Sequence, residues 1–156
     1  NVSASPSISV IIPVYNAEKF IEEALLCVFQ QTLLPDEVVV IDDGSTDSSA
    51  QIIKKFPTIY QYQSPQGPGA ARNAGLTIAK GEIIAFLDAD DLWLTDMLQN
   101  HIKAFRQNPA WEIVMGNIRL QLWCEDKTGG RFVDWQQVLV SPSLDSLTVR
   151  AEVFKK

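Results

Sequence analysis

The chain has 156 residues, of which 46% are hydrophobic and 21% charged, and these proportions are typical of one globular domain with a buried core. Its formal net charge of −6 argues against a surface that follows a phosphate backbone, so we expect no nucleic-acid partner. No apolar stretch approaches the length of a membrane span and no basic signal peptide is recognisable, so we expect a soluble, cytoplasmic protein.

The first two thirds of the chain alternate between short apolar runs and segments with helical periodicity. Strands are predicted at 8–14, 36–41, 58–63 and 83–87. Helices are predicted at 17–31, after the capping residues Ser45 and Thr46, after the Gly-rich loop at 67–69, and at 96–107. This order predicts a mostly parallel sheet with helices on both faces. Pro13 cannot donate to a sheet ladder, so the pairing of the first strand should loosen near its end.

The pattern changes after residue 110. Residues 111–123 are predicted as one long strand, 126–131 as a turn and 132–140 as a returning strand. Residues 141–156 indicate a short strand that enters a helix. We therefore expect a single α/β domain over 1–156, with an antiparallel edge or hairpin near the C-terminus.

Three carboxylates, Asp88, Asp90 and Asp91, directly follow the predicted strand at 83–87. Open α/β sheets bind ligands at the carboxyl ends of their strands. If this segment stays extended, Asp88 and Asp90 point to the same side and can face one cation. Such hard oxygen ligands suit magnesium, manganese or calcium. Acids also end strands and cap helices, but three acids within four residues after a buried strand favour a site.

Two other predicted strands end in polar residues at the same edge, one before Tyr15 and one before Asp42 and Asp43. An aromatic ring such as Tyr15 can stack on a base, and a carboxylate such as Asp43 can accept from a base N–H or a ribose hydroxyl. The alternative for Tyr15, a half-buried core aromatic, carries equal weight.

Arg72 lies where the Gly-rich loop enters its helix, a place suited to a diphosphate, although a solvated arginine is the alternative. A dinucleotide fingerprint does not fit, because Arg72 replaces its third glycine and the loop follows the third strand. His101, the only histidine, has no triad context, which indicates a surface or packing role. Trp93 could be a lid over the site or part of the core, and the core is favoured.

The two cysteines, Cys27 and Cys124, lie far apart in segments with helical and strand character. They lack the spacing of a metal site. We expect two buried free thiols.

Four motifs occur in this order and spacing: SVIIPVYNAEKFIEEAL, VVVIDDGSTD, GPGAARNAGL and GEIIAFLDADDLW. With them the chain resembles the nucleotide-binding half of the GT-A glycosyltransferases, and the best match is the large inverting family 2. Each motif alone is modest, but their combination is specific, and the likeness covers nearly the whole chain.

In that family an Asp-X-Asp motif, here Asp88-Ala89-Asp90, binds the donor nucleotide sugar. The resemblance implies that Asp90 is the principal ligand of manganese or magnesium. It implies that Asp88 is a metal or ribose partner, and it leaves the role of the neighbouring Asp91 open.

The resemblance also implies roles for four residues outside that motif. Tyr15 would stack on the base with Pro13 beside it, and Asp43 would contact the base edge. Arg72 would lie near the diphosphate or the base. A UDP-sugar is the expected donor, and a glycan or glycolipid is the expected acceptor, in polysaccharide or glycolipid assembly at the inner membrane face.

The implied reaction is a single displacement with inversion. A divalent cation would stabilise the leaving nucleoside diphosphate, and a carboxylate would take the proton of the acceptor hydroxyl. In the family this base lies in a Glu-Asp-type motif, which no acid between Trp93 and Lys156 matches. We expect the base beyond Lys156, and we expect an incomplete domain that binds the donor but is inactive alone.

Two other classes of protein share part of this pattern. A non-catalytic nucleotide-binding or metal-binding module is the alternative that the missing base supports. A phosphatase of the haloacid dehalogenase type also carries an Asp-X-Asp motif, but there the motif follows the first strand, whereas here it follows the fourth.

Overall fold

The computed structural model describes residues 5–116, 118–125, 128, 131–139 and 147–155. Most of the described strands form one six-stranded sheet. Its strands are β1 (Ile8–Val14), β2 (Glu37–Asp42), β3 (Ile59–Tyr62), β4 (Ile83–Phe86), β5 (Ile113–Met115) and β8 (Leu147–Arg150). Their order is β3-β2-β1-β4-β8-β5; β1 to β4 are parallel, and β8 runs antiparallel to β4 and β5. The predicted mostly parallel sheet with an antiparallel edge is confirmed.

The helices connect the parallel strands. They are α1 (Ile21–Phe29), α2 (Ser49–Ile53), α3 (Pro68–Ile78) and α4 (Met97–Gln107), and a short 3-10 helix covers Ala151–Lys155. The first helix is shorter than the predicted 17–31, because 18–20 form a turn. No helix in the described part of the chain is long and apolar enough to cross a membrane.

Both faces of the sheet are covered by helices, as predicted. On one face α1, through Ile21, Leu25 and other residues, and α4 share a core with alternate residues of β1 and β2. On the other face Ile11 of β1 contacts a smaller cluster that includes Ala71 of α3. Burial of each large aliphatic side chain contributes roughly 1.5–3 kcal/mol, so the central strands form a rigid base for the loops at their ends.

Pro13 loosens the sheet on one side only. The pairing of β1 with β4 ends at Ile11 and Phe86, followed by a bond from Leu87 N to Ile11 O. The pairing of β1 with β2 continues to Val14. Residues two apart on a strand direct their peptide groups to the same neighbour, so the missing N–H of Pro13 faces β4.

The predicted long strand at 111–123 is wrong. Two strands occupy this region: β5 belongs to the main sheet, whereas β6 (Ile118–Glu125) pairs antiparallel with β7 (Arg131–Leu139) in a separate hairpin. Gly116 follows β5 directly, and glycine is a poor strand former. The predicted hairpin therefore exists, but it begins later.

The remaining C-terminal predictions are resolved only in part. Most of the predicted turn at 126–131 and residues 140–146 lie outside the described residues, as does the side chain of Cys124. The helix predicted for the last segment is the five-residue 3-10 helix after β8.

Candidate functional site

A cleft of about 510 Å³ lies at the carboxyl ends of β1, β2 and β4. Its walls come from the loops after these strands and from the start of α3. The lining residues are Pro13, Val14, Tyr15, Asn16, Ala17, Phe20, Asp43, Pro65, Gly67, Pro68, Arg72, Asp88, Ala89 and Asp90.

Asp91, the third acid after β4, is not among the lining residues, but every residue to which the sequence or the family resemblance assigned donor or metal binding is. Those residues are Pro13, Tyr15, Asp43, Arg72, Asp88, Ala89 and Asp90. The Tyr15 side chain is 59% exposed, so its ring borders the cleft and is not a half-buried core aromatic. The geometry brings the residues together, and their individual roles stay predictions.

Asp43 is buried at the wall of the cleft and ties the loop before α3 to β2. Its Oδ1 accepts from Gln63 Nε2 at 2.7 Å and from Gln66 N at 2.9 Å, and its Oδ2 accepts from Gly67 N at 2.7 Å. Burial favours a higher pKa, but these three hydrogen bonds outweigh it and hold the pKa of Asp43 below its ordinary value. Asp43 is therefore an ionised acceptor at neutral pH.

The same contacts change the expectation for the Gly-rich loop. The N–H groups of Gln66 and Gly67 already donate to Asp43, so these two amides are not directed at a diphosphate. Gly67 has a φ of +93°, a conformation that favours glycine.

Asp42 has a different environment from its neighbour. Its carboxylate accepts from Ser45 N at 2.8 Å and from the Tyr60 hydroxyl at 2.7 Å, and it is buried outside the cleft lining. Burial, together with the charge and hydrogen bond of Asp42, raises the pKa of Tyr60 well above its usual range. Asp42 therefore stabilises the loop after β2.

Arg72 and Asp88 form an ion pair across the cleft through Nη2 and Oδ1. Arg72 reaches Asp88 from the first turns of α3, and its side chain is 18% exposed, compared with 30% for Asp88. Among the described residues, the buried Nε of Arg72 has no hydrogen-bond partner. The pair therefore joins two residues that are predicted to bind the donor, and the buried Nε–H of Arg72 takes no part in it.

Asp90 and Asp88 are the carboxylates that could hold a cation. Within the described residues, no group of three or more His, Cys, Asp or Glu side chains is arranged to hold a metal ion. The Asp90 side chain is exposed at the cleft. It lies in a turn that is closed by a hydrogen bond from Asp91 N to Asp88 O at 3.1 Å. Magnesium is commonly held by one or two carboxylates together with substrate phosphates. These two carboxylates therefore suit a divalent cation whose remaining coordination positions are filled by a diphosphate.

Asn16, to which the sequence pattern assigned no role, links two loops of the cleft. Its φ of +48° is left-handed, a conformation that asparagine tolerates better than most residues. Its Oδ1 accepts from Thr46 N at 2.8 Å, and its N donates to Ser45 Oγ at 3.0 Å. Asn16 thus connects the loop after β1, which carries Tyr15, to the loop after β2. An asparagine two residues beyond the end of a strand was the only signal for this role.

The structure also shows the environments of Trp93, His101 and Cys27, for which the sequence made predictions. Trp93 is 7% exposed within the main core and is not a lid. His101 has a packing role, since it is buried and contacts Thr148. Cys27 is a free thiol, as predicted, but it is only partly buried and not fully buried as expected; this partial burial raises its pKa.

A family model for glycosyl transferase family 2 matches residues 9–133. The chain belongs to glycosyl transferase family 2. An uncharacterised glycosyltransferase of Haemophilus influenzae is 36% identical over 162 residues, which cover 94% of this chain and 62% of that protein. The poly(ribitol-phosphate) beta-glucosyltransferase of Bacillus spizizenii is 36% identical over 121 residues, which cover 72% of this chain and 19% of that protein. The chain thus spans only part of the length of these relatives.

Two solved structures with bound nucleotide sugars share the fold. TarS 1–349 of S. aureus in complex with UDP-GlcNAc is 33% identical, with a TM-score of 0.62 over 70% of this chain and 33% of that one. The mannosyltransferase PcManGT of Pyrobaculum calidifontis, in complex with GDP-Man and Mn²⁺, is 32% identical, with a TM-score of 0.64 over 72% of this chain and 36% of that one. The predicted family and GT-A fold are confirmed.

Proposed function

We propose that the cleft binds a nucleoside-diphosphate sugar, with a UDP-sugar preferred, and that the protein transfers the sugar to an acceptor hydroxyl with inversion. The observation that carries this proposal is the convergence of residues from β1, β2, α3 and the segment after β4 on one cleft. The nucleotide-sugar complexes of TarS and PcManGT support it, since both structures share this fold.

The base of the donor would lie between the loops after β1 and β2. Tyr15 offers an exposed ring face for stacking, with Pro13 beside it in the lining. A carboxylate has about four acceptor positions, and three of those on Asp43 are used by the loop before α3. The remaining position on Oδ2 would accept a base N–H.

The diphosphate would lie near Arg72, Asp88 and Asp90. The Arg72 guanidinium, held by Asp88, would offset part of the phosphate charge. Asp90 and Asp88 would hold a manganese or magnesium ion. When bound, that ion supplies Lewis-acid stabilisation of the leaving nucleoside diphosphate.

The acceptor half of the reaction needs a carboxylate that removes the proton of the attacking hydroxyl. We assign this step to no acid between Trp93 and Lys156, and a base beyond Lys156 stays a prediction. A glycan or glycolipid acceptor, used in polysaccharide assembly on the cytoplasmic face of the membrane, follows from the family resemblance and belongs to the proposal.

The test is the substitution Asp90→Ala, which removes an exposed carboxylate at the cleft. We expect manganese to strengthen UDP binding to the unchanged protein and to have little effect on the variant. The loss should be about tenfold or more, since even residues behind metal ligands have effects of that size. Calorimetric titration with UDP, with and without manganese, measures it.

Asp96→Ala is the matched control, because Asp96 is also exposed but lies outside the cleft lining. It should bind UDP as the unchanged protein does. An Asp90→Ala variant with the full manganese-dependent affinity would overturn the site assignment.

A further inference from the structure

Gln31 is a buried polar residue that the proposed reaction does not use. It lies shortly after α1, and only 4% of its surface is exposed. Its Nε2 donates to Cys27 O at 3.1 Å and to Leu94 O at 2.7 Å, and its Oε1 accepts from Leu98 N at 3.1 Å. Both amide hydrogens and the carbonyl are therefore used, and two of the three bonds reach the segment after Asp90.

Neighbouring residues hold the same segment. Thr32 N donates to Thr95 O at 2.8 Å, and Thr32 Oγ1 donates to Gln99 Oε1 at 2.9 Å. Trp93 N donates to Cys27 Sγ at 3.3 Å, and the Trp93 side chain lies in the main core. The end of α1 thus fixes residues 93–99 at several points, with Gln31 at the centre.

The segment that carries Asp90 is held at both ends, and we call these two sets of contacts the anchors of Asp90. The contacts of residues 93–99 form the second anchor. The first is the bond from Leu87 N to Ile11 O, which ties the end of β4 to β1. Between Leu87 and Trp93 the chain turns, and Asp90 is exposed to the cleft. Because the Asp90 side chain is exposed, the position of its carboxylate depends on how firmly both anchors hold the backbone.

We propose that Gln31 is a positioning residue for the donor site, which acts by fixing the segment that places Asp90 in the cleft. This role rests on the proposed donor-binding function. Residues behind metal ligands commonly change metal affinity 10- to 100-fold, roughly, when they are replaced, because ligand geometry loosens. A purely structural residue would lower the stability of the protein and leave the affinities of the folded form unchanged.

The test is Gln31→Met, which keeps the length of the side chain but removes its three hydrogen bonds. Gln30→Met is the matched control, because Gln30 is the preceding residue and is exposed. Calorimetry at a temperature where all proteins are folded should show that Gln31→Met weakens UDP binding with manganese about tenfold. Binding of UDP alone should change less than about twofold, since Tyr15 and Asp43 lie on other loops. Equal affinities for Gln31→Met and the unchanged protein would overturn the proposal.

Hydrogen exchange of the backbone amides gives a readout that needs no ligand. Gln31→Met should speed exchange within 88–99 about tenfold, with β1 and β2 unchanged, and Gln30→Met should have no such effect. Unchanged exchange in 88–99 would overturn the role of Gln31. If the unchanged protein binds no nucleotide, the donor-binding function fails, whereas faster exchange confined to 88–99 would still support the anchor.

Discussion

His101 is buried between α4 and the antiparallel edge of the sheet, where its protonation affects packing. Its Nδ1 lies 3.0 Å from Thr148 Oγ1, which in turn donates to Val114 O at 3.3 Å. With the Thr148 hydroxyl donating to Val114 O, its oxygen accepts from the His101 ring when Nδ1 carries the proton, and this hydrogen-bond pattern assigns that tautomer. Burial lowers the pKa of His101 below its ordinary 6.5, so the folded protein holds the neutral imidazole.

The lowered pKa predicts a loss of stability in weak acid. The unfolded chain binds the proton more readily than the folded one. His101 therefore contributes fully to the free energy of unfolding above pH 6.5, and this contribution is lost as the pH falls below that value. Replacement of this only histidine, His101→Gln, should flatten the dependence of the free energy of unfolding on pH between about 7 and 5. Urea unfolding at several pH values measures it, and parallel curves for both proteins would contradict the prediction.

The adjacent acids Asp42 and Asp43 show what the sequence can and cannot predict about the orientation of single side chains. Alternation along a strand indicates that two neighbouring side chains point to opposite sides. It does not indicate which of them faces the cleft. That depends on Tyr60, which binds Asp42, and on the loop before α3, which binds Asp43. Both partners are distant in sequence.

At the scale of the elements, the packing of α3 against β1 determines where the start of α3, which lines the cleft, lies relative to the sheet. A Cβ at Gly75 would lie 2.5 Å from Cγ2 of Ile11, which is fully buried. Isoleucine is stiff at χ1, so this methyl group cannot move aside easily. Gly75 therefore permits a close approach, and Arg72, one turn earlier on α3, contacts Asp88.

Gly75→Ala should destabilise the protein. Overpacking costs about 1–3 kcal/mol, and a contact as short as 2.5 Å favours the upper part of that range, which exceeds the gain of about 1 kcal/mol in helix propensity. Gly69→Ala is the control on the same helix, because a Cβ there meets no atom within 4 Å. Thermal unfolding of these variants, and of Gly75→Ala combined with Ile11→Ala, would show the coupling. A Gly75→Ala protein as stable as Gly69→Ala would contradict the close approach.

At the scale of the whole molecule, the sequence predicted the parallel half of the fold because buried strands are short, nearly continuous apolar runs. The acids that follow β2 and β4 then had to meet at one edge, and the cleft is where the structure places Asp43, Asp88 and Asp90. The resemblance to family 2 added the individual roles. Neither source indicated Gln31, and only its place after a strand pointed to Asn16, because the importance of both depends on hydrogen bonds to distant residues.

The antiparallel half was harder to predict for a physical reason. Alternating strands of moderate hydrophobicity can pair with several neighbours, and local pattern does not select among them. Residues 113–115 pair with β8, more than thirty residues later, whereas Ile118–Glu125 pair with the next strand. A single continuous strand was therefore the simplest interpretation of the pattern and the wrong one.

The central claim, that this cleft is a metal-assisted nucleotide-sugar site, is tested most directly by calorimetric titration of the chain with UDP, with and without manganese. The account predicts binding at one site per chain that manganese strengthens. GDP and dTDP, titrated in the same way, show whether uridine is preferred. Failure of all three nucleotides to bind in the presence of manganese would contradict the account.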